Sequence, residues 1–301
     1  MPGAKTDAAD RCHNLESKIM KRKILQKKQI PINHSMRLAL ATVVAASLLL
    51  GQEASATPTT YWVNDDASSY TPPGTSCDDA GYSTIQGAVD AASSGDVIKV
   101  CPGIYTENVY VGTSDLTISS TGGASVTTVE AAVSFYVFQV VAPGLTLDGF
   151  TIAPDGFADG DIGVNVAIEG DTDLTLDRNV VIGGRIGVNV GCVSFGSTVA
   201  HNTLTGQTEA GINVDTCEAP PFPGSHDNSI HHNTACSVTS TASIALGASS
   251  DDNSIHHNVA TSISVFGTGN DVHHNSTQLV IIDNGLGNNL HHNTTDPGVC
   301  Q

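Results

Sequence analysis

From Asp96 onward the chain carries apolar residues in short runs with a period of two, and the 3.6-residue period of a helix is gone. Residues 97–100, 105–111, 116–119, 135–141 and 145–152 read as short β-strands. One earlier segment differs. Between Ser83 and Ser93, Ile85, Ala88, Val89 and Ala92 fall at i, i+3, i+4 and i+7 behind Ser83 as N-cap, which predicts a single short amphipathic helix. Residues 57–82 are rich in Pro, Ser and Asp around one apolar piece, Tyr61-Trp62-Val63, and predict an edge strand followed by a loop.

The later strands can be laid in register by hand. One apolar column reads Leu147, Leu176, Val199, Ile230, Ile255, Val272, Leu290, and three places on a second reads Phe150, Asn179, Asn202, Asn233, Asn258, Asn275, Asn293. A third comes from Val164-Asn-Val166, Val188-Asn-Val190, Ile212-Asn-Val214, Ile244-Ala-Leu246, Ile263-Ser-Val265 and Val280-Ile-Ile282, with the outer two of each triplet inward. The last four rungs share one hexapeptide pattern: Asn228-Ser-Ile-His-His-Asn233, Asn253-Ser-Ile-His-His-Asn258, Asn270-Asp-Val-His-His-Asn275 and Asn288-Asn-Leu-His-His-Asn293.

Each repeat returns the same residue types in the same order, so the strands stack in one sense and form a parallel coil. A β-propeller would need about 40 residues per blade, more than these repeats supply. The prediction is an all-β solenoid of about nine coils, each rising about 4.8 Å, with residues 57–95 as an N-terminal cap containing the helix and 96–301 as the coil. Asn in the second column suits both a left-handed corner and a ladder of stacked amides.

Composition adds compartment. Residues 1–35 form a basic extension, and 36–56 read as a signal peptide, with an apolar run at 38–50 and Ala54-Ser55-Ala56 as cleavage site. Met36 is an alternative start. Nine of the twelve Lys and Arg precede Thr57 and 26 of the 30 acids follow it, so the exported part has a formal charge of −23. That surface excludes nucleic acid and anionic lipid as partners, and no span crosses a membrane in the mature chain. Six Cys remain after the leader, an even number that favours disulfides outside the cytosol. Fifteen pairings are open. Cys192 and Cys217 sit at nearly equivalent points of successive rungs, Cys77 with Cys101 would pin the cap, and Cys236 with Cys300 is left by elimination although about three rungs separate them.

The stretch from Tyr82 to Asn108, containing Ser83-Thr-Ile-Gln-Gly-Ala-Val-Asp-Ala-Ala and Gly103-Ile-Tyr-Thr-Glu107, resembles the capping helix and first strand of the pectin-lyase-like superfamily. The Asn-x-Ile-x-x-Asn rungs also resemble the periplasmic copper-loading β-helix family that matures nitrous-oxide reductase. The resemblance implies a single-stranded right-handed parallel β-helix. It brings catalytic possibilities that the residues only partly meet. Gly103-x-Tyr105-x-Glu107 matches a first motif of pectin methylesterases, but the later motifs that supply their carboxylates are missing. Polygalacturonase motifs are absent as well, and Asp251-Asp252 is an isolated acidic pair in a loop. Lyases of this superfamily use a basic residue, for which Arg178 and Arg185 are the candidates.

Metals are a separate matter. Asp155, Asp159 and Asp161 lie on a Gly-rich loop, and Glu169 to Asp173 on another, where hard oxygens could surround Ca²⁺. His231, His232, His256, His257, His273, His274, His291 and His292 should all point outward as two columns about 4.8 Å apart per rung. They offer Cu²⁺ or Zn²⁺ ligands along the ladder. The plain alternative is that repeat copying spread a His pair over a solvent corner. The reading that fits an acidic surface without a full catalytic set is an exported surface or extracellular binding module, with polysaccharide as its partner and self-association at the C-terminal end of the solenoid. The alternatives are a polysaccharide-active enzyme of the pectate lyase, pectin esterase or polygalacturonase type, and a periplasmic or extracellular Cu/Zn-binding protein working through the His columns.

Overall fold

A computed structural model describes residues 57–133, 135–154, 161–167, 170–191, 194–214, 224–236 and 242–301. The leader, Asp155, Asp159, Glu169, Cys192 and Cys217 lie outside the described residues. Pro58–Gln301 form one compact unit. Its strands make three long parallel sheets of ten, eight and nine strands, in which each strand pairs with its counterpart one coil earlier and one coil later. Among the described residues eight successive coils contribute one strand to each sheet, and strands at Thr60–Val63, Asn289–His291 and Thr294–Thr295 extend the first and third sheets at their ends, which is the parallel β-helix expected from the repeats.

The first sheet carries the apolar column in the predicted register. Leu147 pairs with Leu176, Leu176 with Val199, Val199 with Ile230, Ile230 with Ile255, Ile255 with Val272, and Val272 with Leu290. All but Leu290 are almost fully buried. Burying each such side chain stabilises the coil by roughly 1.5–3 kcal/mol. The core narrows toward the C-terminus. In the third sheet Ile152, Val181 and Leu204 give way to Ala235, Ala260 and Thr277, and in the second column Phe150 gives way to Asn.

That Asn column is a buried ladder. Asn258 is 1% exposed; its Oδ1 accepts from the backbone N–H and Nδ2 of Asn233, and its own Nδ2 donates to the Ile230 carbonyl and to Asn275 Oδ1. The same pattern runs from Asn179 to Asn293. The first Asn of each hexapeptide builds a parallel ladder through Asn228, Asn253, Asn270 and Asn288. Each repeat thus fixes both ends of its first-sheet strand with an amide that satisfies buried backbone groups.

Several sequence expectations need correction. The left-handed corner is not the Asn but the residue before it: Gly149, Arg178, His201, His232, His257, His274 and His292 all have φ between 53° and 81°. The Asn backbone must stay extended so that its amide can turn inward and stack. In the third column, Ile281 pairs with Ile263 and Asp283 with Val265, one residue later than aligned by hand, and Val280 and Ile282 are exposed. The corner there holds three residues, Gln278 to Val280, where the coil before has only Thr261 and Ser262. The helix, α1 (Ile85–Ala91), is capped by Thr84 rather than Ser83, with Thr84 Oγ1 accepting from the Gly87 N–H at 3.1 Å.

Disulfides join Cys77 to Cys101 and Cys236 to Cys300. The second spans rungs because the tail reverses after Asp296. Gln278 Nε2 donates to the Pro297 carbonyl, and Thr261 Oγ1 contacts Cys300 Sγ, so the tail runs back along the side of the third sheet.

Candidate functional site

The hexapeptide dictates where its imidazoles go. The first His of each pair ends a first-sheet strand, directly after the inward Ile, Val or Leu, so it points outward beside the sheet. The second occupies the left-handed corner. Two imidazole columns result. His231, His256, His273 and His291 stack with centroids 5.0 Å apart and rings within 11° of parallel. His232, His257, His274 and His292 stack at 4.9–5.0 Å, within 10° of parallel. Within a rung the two rings stand edge to face at 85–90°.

That perpendicular arrangement turns the two Nδ1 atoms toward each other, at 3.0 Å for His231/His232 and His256/His257, 2.9 Å for His273/His274 and 2.7 Å for His291/His292. In such a pair one ring carries its proton on Nδ1 and the other offers a lone pair. Three rings of the stripe are held toward the neutral form. His256 is pushed down to about 4, first by desolvation and then by His231 and His273. His231 and His274 are lowered too, again mainly by desolvation and then by the neighbouring rings.

The donor set fits a late first-row ion. Imidazole nitrogen suits copper and zinc, and two bonds of about 2.0 Å meeting at a right angle span about 2.8 Å, which matches the Nδ1 pairs. Donors from successive rungs are placed differently. Nearly parallel rings repeated at 5.0 Å aim equivalent nitrogens in the same direction, so they do not converge on one centre; the convergent donors are the two within a rung.

At the N-terminal end the pattern changes. Ala200 takes the place of the first His, and Asp177 and Asp148 hold that column in earlier coils. His201 occupies the second column, its ring tilted 27° to His232 at 5.3 Å and perpendicular to His231 at 5.7 Å. Its Nδ1 lies 2.8 Å from Asp177 Oδ1. His201, His231 and His232 place three ligand atoms within 4.8 Å of one another, the one such group of three among the described residues. Column alignment was the signal for His201; the hexapeptide, absent from its rung, was not. At the other end His291 Nε2 is 3.2 Å from Asp271 Oδ1.

The other candidates sit elsewhere. Arg178 is on a corner, 64% exposed, with its guanidinium bound to Asp148 at 2.6 Å and Asp177 at 2.5 Å, which raises its already high pKa. Arg185 pairs with Glu209. Asp161 is buried, and its Oδ1 accepts from the Phe135 N–H. Asp251 Oδ1 accepts from Thr268 N–H and Oγ1. In the esterase-like motif, the two Glu107 oxygens accept from the N–H groups of Ile85 and Gln86, each at 2.8 Å, and the Tyr105 hydroxyl donates to the Cys101 carbonyl at 2.9 Å. Those residues secure α1 and the first coil.

Residues 89–299 match the family described as periplasmic copper-binding protein (NosD). The chain belongs to the NosD family. No curated protein sequence matches it. Among solved structures it is similar to the deglycosylated pectin methylesterase from Aspergillus niger, at 13% identity over 82% of this chain and 90% of that one, with a TM-score of 0.50. It is also similar to pectate lyase Pel9A at 13% identity and a TM-score of 0.47, covering 73% of this chain and 55% of the lyase. Carrot pectin methylesterase has 13% identity, covers 78% of this chain and 85% of its own, and scores 0.45. At 13% identity the Aspergillus niger likeness bears on the fold alone, the right-handed parallel β-helix. Among the described residues no helix is long and apolar enough to cross a membrane.

Proposed function

We propose that this NosD-family chain is an exported copper-binding protein whose histidine stripe is the metal-holding surface. The observation that carries the reading is the set of four Nδ1 pairs, 2.7–3.0 Å apart, repeated on successive coils. The left-handed corners support it. The same repeat has a second left-handed corner, before the other Asn ladder, and fills it with Asp227, Asp252, Gly269 and Gly287. Gly costs nothing there, so five consecutive His at the first corner, from His201 to His292, call for a reason beyond backbone geometry. Copper in the stripe would be held by His231/His232, His256/His257, His273/His274 and His291/His292, with bound copper supplying redox-active, nitrogen-ligated metal to a recipient.

The test is titration of the full chain with Cu²⁺ and Zn²⁺ by calorimetry, with electron paramagnetic resonance for nitrogen ligation. A variant with the first His of each pair changed to Gln and the second to Asn should stay folded and lose nitrogen-ligated copper. Equal copper uptake by that variant would refute the stripe.

A second reading keeps the polysaccharide partner. It is favoured by a hollow of about 240 Å³ lined by Asn108, Tyr110, Val133, Phe135, Tyr136 and Gln139. Tyr110 and Phe135 are more than half exposed there, and exposed aromatic faces beside an amide suit a neutral sugar ring better than a uronate. Affinity electrophoresis against neutral and acidic polysaccharides, with Tyr110→Ala and Phe135→Ala, tests it; unretarded migration of the parent protein in both would end it.

A further inference from the structure

We infer that the N-terminal end of the stripe is a distinct three-imidazole metal site, formed by His201, His231 and His232 and oriented by Asp177. It rests on the reading of the stripe as the copper-holding surface and adds to it a tightest site and a ligand outside the His-His repeats. The reason is a broken symmetry. In an unbroken ladder, stacking keeps equivalent nitrogens about 5 Å apart and equally aimed, so each ion gains only the two donors of one rung. Ala200 removes one imidazole from the first column, and a methyl group stands where a ring would otherwise block the approach of His201.

Three features of this corner then act together. His201 has turned 27° out of the stack. Its Nδ1 is taken by Asp177 Oδ1 at 2.8 Å, which leaves Nε2 as the ring's free donor, the arrangement in which a carboxylate fixes the tautomer of a metal-binding His. Asp177 is itself held, since its second oxygen meets Arg178 Nη1 and Arg178 Nη2 meets Asp148. The His201 ring is 53% exposed and a ligand atom of it already lies within 4.8 Å of ligand atoms of both His231 and His232, so side-chain adjustment about the Asp177 contact brings the three toward one ion without moving the corner backbone. A third nitrogen sets this site above the two-nitrogen pairs.

The experiment compares the full chain with His201→Asn, His292→Asn, Asp177→Asn and Ala200→His. Asn tolerates the left-handed corner, so the two His variants are matched, and far-UV circular dichroism checks that all four remain folded. Calorimetric titration with Cu²⁺ and Zn²⁺, alongside paramagnetic resonance of the first Cu²⁺ equivalent, should show one site at least tenfold tighter than the rest. His201→Asn and Ala200→His should abolish it. Asp177→Asn should weaken it by about 10-fold to 100-fold, and His292→Asn should leave it unchanged. If His201→Asn and His292→Asn prove equal while copper still binds the stripe, the end site is wrong and the wider reading survives. If the parent protein takes up no copper, both fall.

Discussion

Replacing Asn258 by Ala tests whether the amide ladder, rather than the apolar columns alone, holds the narrow coils together. Asn258 makes four side-chain hydrogen bonds at 2.8–3.1 Å, and its backbone N–H donates a fifth to Asn275 Oδ1. The alanine keeps only the backbone bond. It strands the Asn233 N–H, one Asn233 amide hydrogen and a lone pair of the Ile230 carbonyl, all in a part of the core where Asn258 is 1% exposed. Each stranded buried group costs about 1–3 kcal/mol, so for three groups the loss should be roughly 3–9 kcal/mol. Asn293→Ala is the control. Asn293 sits on the last rung, partly exposed; it donates to the Val272 carbonyl and accepts from the Asn275 N–H and Nδ2, but all three bonds are only part-buried, so water replaces much of what is lost and the cost should be smaller, about 1–2 kcal/mol. Urea denaturation followed by far-UV circular dichroism gives the difference, and amide exchange at Asn233 localises it. Because coils couple to neighbours, exchange protection should fall first at the coils of Asn233 and Asn275. An Asn258→Ala loss below about 1 kcal/mol, or no larger than that of Asn293→Ala, would show that the ladder is a consequence of stacking and not a support of it.

Other outcomes follow from single contacts. His256 has its folded pKa lowered to about 4 from an unfolded value near 6.5, so the unfolded chain takes up its proton first as the pH falls. Stability is then intact above pH 6.5 and declines between about 6.5 and 4, by on the order of 1 kcal/mol once the ring's exposure is discounted. The pH profile of His256→Gln should be flatter than that of the parent over this window, and identical profiles would contradict the assignment. Cys300→Ala opens a loop of 64 residues, which should cost about 4 kcal/mol by loop entropy; thermal melts with and without reductant check it, and a parent protein insensitive to reductant would argue against the bridge. Glu107→Gln leaves one acceptor for two N–H groups at the start of α1 and should cost about 1–3 kcal/mol, read as a lowered urea midpoint together with faster exchange at Ile85 and Gln86; unchanged exchange would remove the capping role.

The spiral was legible because Leu147, Leu176, Val199, Ile230, Ile255, Val272 and Leu290 recur with an Asn or Phe three places on, a pattern that only stacking in one sense explains. Where several residues satisfy one rule, pattern stops deciding. Val280, Ile281 and Ile282 are all apolar, so alternation could not tell which pair faces inward, and the extra corner residue shifted the answer by one. Asn and His both accept a left-handed backbone, and only the need of the Asn amide to reach the next coil assigns the corner to His. Ser83 and Thr84 are both good caps; the Glu107 carboxylate, distant in sequence, fixes the helix start at Ile85. The return of the tail to Cys236 leaves no periodic trace, since periodicity ends at Asp296. At the candidate site the two columns could be drawn from sequence, but the facing Nδ1 atoms depend on the near-right angle between rings in one rung, and that angle is a property of the corner.

Electrostatics limits how much metal such a stripe can hold. Ions bound by neighbouring rungs would repeat at about the ring spacing of 5.0 Å. Two divalent ions at about 5 Å repel by about 3 kcal/mol even at the dielectric constant of water, a penalty of more than 100-fold in the affinity of the second. At twice the spacing the bare term halves and physiological salt screens much of the rest. Alternate filling is therefore favoured, and the carboxylates mark its ends: Asp177 lies against His201, and Asp271 reaches His291 at 3.2 Å. The expected stoichiometry is about two Cu²⁺ per chain, set by the repulsion between neighbours, and not one for every imidazole pair. Raising salt should increase the uptake by weakening that repulsion. Mass spectrometry of the copper-loaded chain under non-denaturing conditions counts the ions directly, and a full complement on every rung at low salt would mean that a counter-anion or proton release neutralises the charge between rungs.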